Sequence, residues 1–397
     1  MAPENVQKVP DNIDDILKYR SDVVRMIYPE LKDISNEEIN PAGIEIMEGI
    51  GNPASNHYLV RHNVKGRDYH FNARYHGKPS PTYSGPQDRA RVASRAYNFL
   101  RDDAQIQEVP SAAFLESYPE WIFLEHIPGQ TLGEIMKDLK KDQAGELILN
   151  LAKEIAALQY KATKATRKLP EADKKNIFWA RSLEEQVENY YKDIVEKETG
   201  LNDFMAAYNL LIINSLKGDE ACHGELSQDN IIRHAVNNKF YFIDPELKER
   251  NEFADLGSLL SYLGNYEDYW DRLAIGSPEE KVRLYMEEKG VEPKGIFKGV
   301  KPTEGGRPEV IKNLYSNILH YSLRQISKAR TRVKRPYEAQ ARNVFAVLNA
   351  FSNQDKFGLS PQQKDAAKLI KDSLSCLNGK GEETRVISIP EEAASAK

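Results

Sequence analysis

The spacing of hydrophobic and polar positions changes near residue 130. Before it, the short apolar runs IEIMEGI, YLVRHNV and DYHFNARY are separated by turn residues and predict antiparallel strands. The stretches DDILKYRSDVVRMIYPEL and QDRARVASRAYNFLRDD carry apolar residues at helical spacing and predict helices, whereas AAFLES and WIFLEHI predict two more strands. This part of the chain therefore predicts a small sheet with one helix, preceded by an N-terminal helix.

From Pro128 onward the pattern is mostly helical, in segments such as GELILNLAKEIAALQYKA, PEEKVRLYMEEKG and PEVIKNLYSNILHYSLRQISKA. One interruption, IIRHAV followed by KFYFID, predicts a β-hairpin. The fold class predicted is α+β, a two-lobed arrangement with a small antiparallel-sheet N-lobe and a large helical C-lobe. The predicted divisions are an N-terminal helical extension (1–35), an N-lobe (36–127), a C-lobe (128–377) and a disordered tail (378–397).

Composition narrows the possible functions. The chain has 397 residues, 29% of them charged, with a net charge of −5. A protein that binds nucleic acid through overall basicity is therefore not expected, and no apolar window has the length of a membrane span. The polar, acidic start lacks the hydrophobic stretch of a secretory signal, and two cysteines give no disulfide framework, so we expect a cytoplasmic protein.

The densest set of polar residues lies in CHGELSQDN and FIDPE, on either side of the predicted hairpin. His223, Glu225 and Asn230 repeat the H-x-D-x-x-x-x-N spacing of phosphotransferase catalytic loops, with Glu in place of Asp, and Asp244 ends the next strand. Such chemistry needs a carboxylate at the attacking hydroxyl, and oxygen ligands for Mg²⁺ on the nucleotide phosphates. A surface turn with local side-chain bonds is the alternative, and four anchors at the required intervals disfavour it.

These motifs resemble a known family. HGELSQDNII, FIDPELKERNEFADLGSLLSYL and WIFLEHIPGQTL are similar to the aminoglycoside phosphotransferase and choline kinase superfamily, which has a protein-kinase-like fold, and the Asp-Pro-Glu segment is similar to that of 5-methylthioribose kinases. The resemblance implies ATP and Mg²⁺ as cofactors. It places Glu225 and His223 in the catalytic loop, and Asn230, Asp244 and Glu246 at the metal. Asp255 would steady the loop, although it could equally be the N-cap of the next helix.

The same resemblance assigns a nucleotide site to the N-terminal part. In GIGNPASNHYLV, Gly49, Gly51, Ser55 and Asn56 would cover the phosphates, although Gly-Asn-Pro is also an ordinary hairpin turn. Arg74 stands where kinases carry a lysine on the third strand, and the alternative is a solvated strand residue. The backbone of Glu125, His126 and Ile127 would meet the adenine edge, in what could otherwise be only a strand that ends in a turn.

Two departures from the pattern leave catalysis open, namely Glu225 itself and the missing Glu on the helix after Arg74. Two other features have ordinary explanations. The basic run SKARTRVKRP fits a solvated helix end better than an anion site, and the aromatic residues Tyr190, Tyr191, Phe204 and Tyr208 fit a core better than a substrate pocket.

The sequence thus predicts an ATP- and Mg²⁺-dependent phosphotransferase. Its expected partner is a small-molecule hydroxyl acceptor, a sugar or an amino-alcohol, with no nucleic acid or membrane partner and an open oligomeric state. A non-catalytic nucleotide-binding pseudokinase is the first alternative. A protein kinase is a weaker one, because the chain reads Asp-Pro-Glu instead of Asp-Phe-Gly and runs directly into a helix.

Overall fold

The computed structural model describes residues 20–33, 39–40, 46–47, 56–75, 86–178, 183–195, 200–290, 307–333 and 336–377. Contacts group the chain into two compact units, one of residues 1–180, 218–255 and 276–291 and the other of residues 181–217, 256–275 and 292–397. These units do not follow the predicted division at residue 127, which stays a prediction. Within the described ranges, no helix has the length and apolarity needed to cross a membrane.

The first unit contains an antiparallel sheet in the order β1-β3-β4-β6-β5, with β2 also paired to β3. Lys65 and Gly66 connect β3 to β4 and both have positive φ, as the tight turn of a twisted hairpin requires. Along β4, Tyr69, Phe71 and Ala73 are buried, so the alternate positions, including Arg74, lie on the other face. The strands are β1 (Ile39–Asn40), β2 (Ile46–Met47), β3 (Asn56–Val64), β4 (Arg67–Tyr75), β5 (Ala112–Ala113) and β6 (Trp121–Glu125).

Helix α1 (Arg20–Ile27) covers this sheet. Its buried Val23, Val24 and Ile27 join one apolar cluster with Phe71 and Trp121. Helix α2 (Pro86–Asn98) follows β4 and continues into a π-helical turn, Phe99–Asp103. The predicted small sheet with its helices is therefore confirmed, and the N-terminal helix is confirmed over its described part.

The rest of the first unit is a set of helices and short strands. The predicted hairpin is confirmed as β9 and β10, and β7 pairs with β9 to make three strands. Strand β11 pairs with β8, so the residues just after Asp-Pro-Glu lie beside those just before His223. The elements are β7 (Gly129–Thr131), α3 (Leu132–Lys137), α4 (Lys141–Thr166), α5 (Glu171–Ile177), β8 (Glu220–Cys222), β9 (Ile231–His234), β10 (Phe240–Phe242) and β11 (Lys248–Arg250).

Long helices make up the remainder. One of them corrects the sequence reading, because α9 begins at Glu267 and not at Pro278, which lies inside it. Upstream of Pro278, the buried Trp270, Leu273 and Ala274 keep the helical spacing. The helices are α6 (Leu183–Val195), α7 (Leu201–Tyr208, with a π-helical turn Asn209–Ile213 and a last turn Asn214–Leu216), α8 (Ala254–Tyr262), α9 (Glu267–Glu288), α10 (Arg307–Lys328, then a π-helical turn Ala329–Val333), α11 (Glu338–Asn353) and α12 (Pro361–Ser373).

The second unit has its own core. Tyr315 packs edge-on against Trp270 and Phe357, and Gly257 lies so close to α10 that an added Cβ would stand 2.4 Å from the Cβ of Asn317. The aromatic residues Tyr190, Tyr191, Phe204 and Tyr208 are all buried, as expected of core residues. Helix α10 ends in the basic run, of which Lys334 and Arg335 lie outside the described residues.

Candidate active site

The loop from His223 to Asn230 connects β8 to β9, and hydrogen bonds to Asp255 anchor it. The fully buried Asp255 carboxylate accepts hydrogen bonds from the backbone N–H groups of His223 and Gly224, both at 2.9 Å, and from Nε2 of Gln159 at 2.9 Å. Asp255 lies in the first turn of α8, and its carboxylate oxygens accept hydrogen bonds from the loop backbone. A role of Asp255 in turnover stays a prediction.

Gly224 brings this loop against the Asp-Pro-Glu turn. Its φ is +88°, and a Cβ at this position would lie 1.9 Å from the carbonyl oxygen of Glu246. The Glu246 N–H also donates to the His223 carbonyl at 2.8 Å. Only glycine fits a left-handed backbone with another peptide so close, so the two segments pack as one piece.

His223 is completely buried under the loop. Neither ring nitrogen makes a hydrogen bond of ordinary geometry to a described residue. Burial lowers the pKa of the imidazole, and the nearby Asp255 and Asp244 carboxylates offset this only in part. Burial therefore favours the neutral form of His223, whose ring packs inside the protein beneath the loop.

Glu225 and Asn230 occupy the outer part of the loop, where both side chains are half-buried. Asn230 donates its Nδ2 to the Glu225 carbonyl at 2.9 Å, which leaves Oδ1 as the acceptor end of the amide. The Asn230 carbonyl accepts the Ile243 N–H at 2.9 Å, so the loop is tied to the residue before Asp244.

Asp244 is held by groups from the sheet and from α2. Its φ is +59°, uncommon for a residue with a side chain, and its N–H donates to the Tyr97 hydroxyl at 2.7 Å. Its carboxylate forms an ion pair with Nη1 of Arg74. Burial lowers the pKa of Arg74, but Asp244, Tyr97 and Glu246 together more than offset this and leave the pKa raised. Arg74 is only 13% exposed, so its reading as a solvated strand residue is wrong.

Tyr97 takes part in the site from the helix that lacks the kinase Glu. Among the described residues of α2, it is Tyr97 that reaches Asp244, and Arg91 instead pairs with Glu116 at 2.9 Å. Sequence reasoning missed Tyr97 because it looked for an acid. In the sequence, no motif or spacing marks Tyr97 in the predicted helix QDRARVASRAYNFLRDD.

Glu246 is paired with a buried cation that sequence reasoning also missed. Its carboxylate lies 3.3 Å from Nζ of Lys248, which also donates to the Gly224 carbonyl at 3.0 Å. The only signal in the sequence is a lysine in the short β11 strand after Asp-Pro-Glu.

The oxygen set fits Mg²⁺ in its chemistry. Asn230 offers an amide oxygen and Asp244 and Glu246 offer carboxylates, the hard ligands that Mg²⁺ prefers. The segments that carry them are hydrogen-bonded to one another. Both carboxylates are paired with cations of the chain itself, and within the described ranges no three His, Cys, Asp or Glu side chains converge as a metal cluster.

The predicted adenine connector follows β6. The Glu125 N–H donates to the Ser111 carbonyl at 2.9 Å, and the His126 N–H donates to the His70 carbonyl at 3.2 Å. Both N–H groups therefore have a hydrogen-bond partner in the protein itself. Ile127 is buried, and a Cβ on Gly129 would lie 2.0 Å from the Arg233 carbonyl oxygen. The connector therefore passes tightly into β7. Burial and the neighbouring His70 lower the pKa of His126.

The structure describes only part of the predicted phosphate loop. Gly49, Gly51 and Ser55 lie outside the described residues. Asn56 begins β3, where it pairs with Tyr75, and its side chain is also outside the description. The role of these residues stays a prediction.

Comparison with solved structures gives the fold. A choline kinase from Cryptosporidium parvum is 15% identical with a TM-score of 0.54, and the match covers 91% of this chain and 98% of that one. A Plasmodium vivax ethanolamine kinase is 14% identical (TM-score 0.46; 93% and 90% covered), and APH(2")-IIa, in a ternary complex with streptomycin and ATP, is 15% identical (TM-score 0.48; 88% and 99%).

Comparison with sequences gives no relative, since no family model and no curated protein matches the chain. The similarity to 5-methylthioribose kinases stays a prediction. The chain has the α+β, protein-kinase-like fold of the Cryptosporidium choline kinase, as the sequence predicts.

Proposed function

We propose that the protein is a phosphotransferase that moves the γ-phosphoryl group of ATP, with Mg²⁺, to a hydroxyl group of a small molecule. The observation that carries the proposal is the anchored loop. Asp255 holds the backbone at His223 and Gly224, and Gly224 in turn packs on the turn that carries Asp244 and Glu246. A base candidate and oxygen ligands are thereby fixed on adjacent segments, as positioning catalysis of phosphoryl transfer requires.

Each residue has a chemical task in this proposal. The oxygen of the acceptor hydroxyl bonds to the γ-phosphorus while the bond from that phosphorus to the ADP oxygen breaks. Glu225 accepts the proton that the hydroxyl loses. Asn230 and Asp244 would hold Mg²⁺, which would neutralise charge on the phosphates, and Glu246 would assist them. Arg74 presents a guanidinium, a planar donor that suits phosphate oxygens.

The proposed acceptor is a sugar or an amino-alcohol. The net charge of −5 makes a polyanionic acceptor such as RNA or DNA unfavourable at long range, and we propose neither nucleic acid nor membrane as a partner. Salt-sensitive, tight binding of RNA to the purified chain would contradict this part of the proposal.

A pseudokinase that binds nucleotide without turnover is the second candidate. Three observations favour it, namely Glu225 in place of Asp, the missing Glu on the helix after Arg74, and the pairing of the Asp244 carboxylate with Arg74. Intact oxygen ligands at three positions favour the enzyme.

The deciding experiment is a metabolite screen. Purified protein with Mg-ATP is offered a library of sugars and amino-alcohols, and ADP formation is measured with and without each compound. The enzyme predicts acceptor-dependent ADP that is lost in Asp244→Asn. Nucleotide binding without any acceptor-dependent ADP would favour the pseudokinase, and neither binding nor turnover would rule out both.

A further inference from the structure

Lys248 is a charged residue inside the first unit, and the proposed chemistry gives it no task. It lies in β11, directly across from Cys222 in β8, and its side chain is only 8% exposed. Its ammonium donates to the Gly224 carbonyl at 3.0 Å and lies 3.3 Å from the Glu246 carboxylate. A buried ammonium is costly unless it is paired and hydrogen-bonded, and these two contacts meet that condition.

The two partners of Lys248 belong to the two segments of the site. The Gly224 carbonyl and the Glu225 N–H form one planar peptide group, so a bond to that oxygen also orients the backbone from which the Glu225 side chain leaves. Glu246 lies two residues after Asp244 and donates its own N–H to His223. One ammonium thus bridges the loop that carries the base and the turn that carries the metal ligands.

The hydrogen bonds of Asp255 do not reach the peptide group between Gly224 and Glu225. Asp255 accepts from the N–H groups of His223 and Gly224, which leaves the following peptide, between Gly224 and Glu225, to be fixed by another group. Lys248 contacts the oxygen of that peptide from the β11 side. The two residues therefore restrain successive peptide groups of the same loop.

We propose that Lys248 is a positioning residue, which sets the direction of Glu225 through the Gly224 carbonyl, and that Glu246, besides assisting the metal ligands, holds Lys248 in place. This inference rests on the proposed function for its catalytic consequence, but its structural part does not. The bridge orients the loop whether or not the protein turns over ATP.

The matched control is Lys281, which has nearly the same environment in the same unit. Its ammonium lies 2.7 Å from the Glu220 carboxylate, with side-chain exposures of 11% and 24%, compared with 8% and 24% for Lys248 and Glu246. Lys281→Met therefore leaves a comparable carboxylate without its cation, but at the edge of β8 and not at the loop.

The experiment compares full-length Lys248→Met and Lys281→Met by hydrogen exchange of the amides of residues 223–227, by thermal unfolding, and by kinetics with the acceptor found in the screen. At a similar loss of thermal stability, Lys248→Met should speed loop exchange at least about tenfold more than Lys281→Met, and should lower kcat at least about tenfold with little change in the KM for ATP. Lys248→Arg should recover part of both losses, because it keeps a cation that donates hydrogen bonds.

A double variant covers the case in which Lys248→Met does not fold. Glu246→Gln with Lys248→Met removes both charges of the pair, so the half-buried carboxylate is not left beside a missing cation, and the double variant should fold better than the single variant. It should still show fast loop exchange. Equal loop exchange in the Lys248 and Lys281 variants would overturn the proposal. Absence of turnover in the natural protein, with the exchange difference present, would overturn the proposed function alone.

Discussion

At the scale of single residues, Glu225 is where the site departs most from the kinase pattern. Its side chain is one methylene longer than that of Asp, which carries the carboxylate about 1.5 Å farther from the backbone. A misplacement near 1 Å can cost about a hundredfold in rate, so the backbone under Glu225 must compensate. The hydrogen bonds of Asp255 and Lys248 to the peptide groups before Glu225 can fix such a change in the backbone.

We expect Glu225→Gln to lower turnover at least about a hundredfold and to leave Mg-ATP binding nearly unchanged, because the amide cannot accept the hydroxyl proton. Glu225→Asp should retain much more activity, since it keeps the carboxylate. Steady-state kinetics and nucleotide titration check both statements. An Asp variant that gains ATP turnover absent from the natural protein would show that the natural chain is a pseudokinase.

His223 makes stability depend on pH. Its pKa is lowered in the folded protein by burial, whereas the unfolded chain has the ordinary value of about 6.5. The unfolded state therefore binds the proton more readily, and the contribution of this residue is present above pH 6.5 and lost progressively as the pH falls below it.

Urea unfolding at pH 7.5 and pH 5.5 tests this residue. The free energy of unfolding of the natural protein should fall over this interval, and His223→Gln should flatten the dependence, since the side chain no longer titrates. An identical fall in both proteins would show that other groups cause the acid sensitivity.

At the scale of elements, the local sequence pattern predicts the positions of helices and hairpins correctly where hydrophobic periodicity and turn residues agree. The β3–β4 hairpin, helix α2 and the β9–β10 hairpin lie where alternation and helical spacing predict them. The pairings of β11 with β8 and of β7 with β9 could not be read, because they join short strands far apart in sequence. The sequence predicts the start of helix α9 too late, because proline favours the first turn of a helix and Pro278 lies inside this one.

The candidate site shows the same limit. His223, Glu225, Asn230, Asp244 and Asp255 were found because a family spacing marks them. Tyr97 and Lys248 carry no such spacing, and only the fold brings them to the loop and to Asp244. Long-range contacts of this kind depend on register and packing, which composition and periodicity do not encode.

Helix α2 contributes to the site through a hydroxyl group, which can be removed alone. Tyr97→Phe leaves the partly buried Asp244 N–H without the partner it has at 2.7 Å, and the loss of such a hydrogen bond costs about 0.5–1.5 kcal/mol. We expect the free energy of unfolding to fall by that amount and the stabilisation by Mg-ATP to weaken, because Asp244 loses a restraint on its left-handed backbone.

Tyr208→Phe is the control for this substitution. Tyr208 is also fully buried, and its hydroxyl lies 3.1 Å from Nδ1 of His320 in the second unit. It should cost stability without changing the effect of Mg-ATP. Calorimetry with and without nucleotide separates the two, and equal loss of the Mg-ATP effect in both variants would contradict a local role for Tyr97.

At the scale of the whole molecule, ligand binding to a preformed site should raise the stability of the chain. The loop, the Asp-Pro-Glu turn and strand β4 are joined by Asp255, Lys248 and Arg74, all of which belong to the chain itself. Nucleotide binding therefore requires little ordering of these parts. In the proposed complex the pairing of Asp244 changes, because its carboxylate is shared between Arg74 and the metal.

Mg-ATP at about 100 times its dissociation constant should stabilise the protein by roughly 2.7 kcal/mol, which corresponds to a few degrees in Tm. Asp244→Ala should remove the magnesium-dependent part of this shift, measured against its own baseline without ligand. Asp271→Ala, which breaks the 2.8 Å ion pair with Lys356 in the second unit, should leave the shift intact. If Asp244→Ala keeps the full difference between Mg-ATP and ATP alone, Asp244 does not bind the metal, and its pairing with Arg74 is structural.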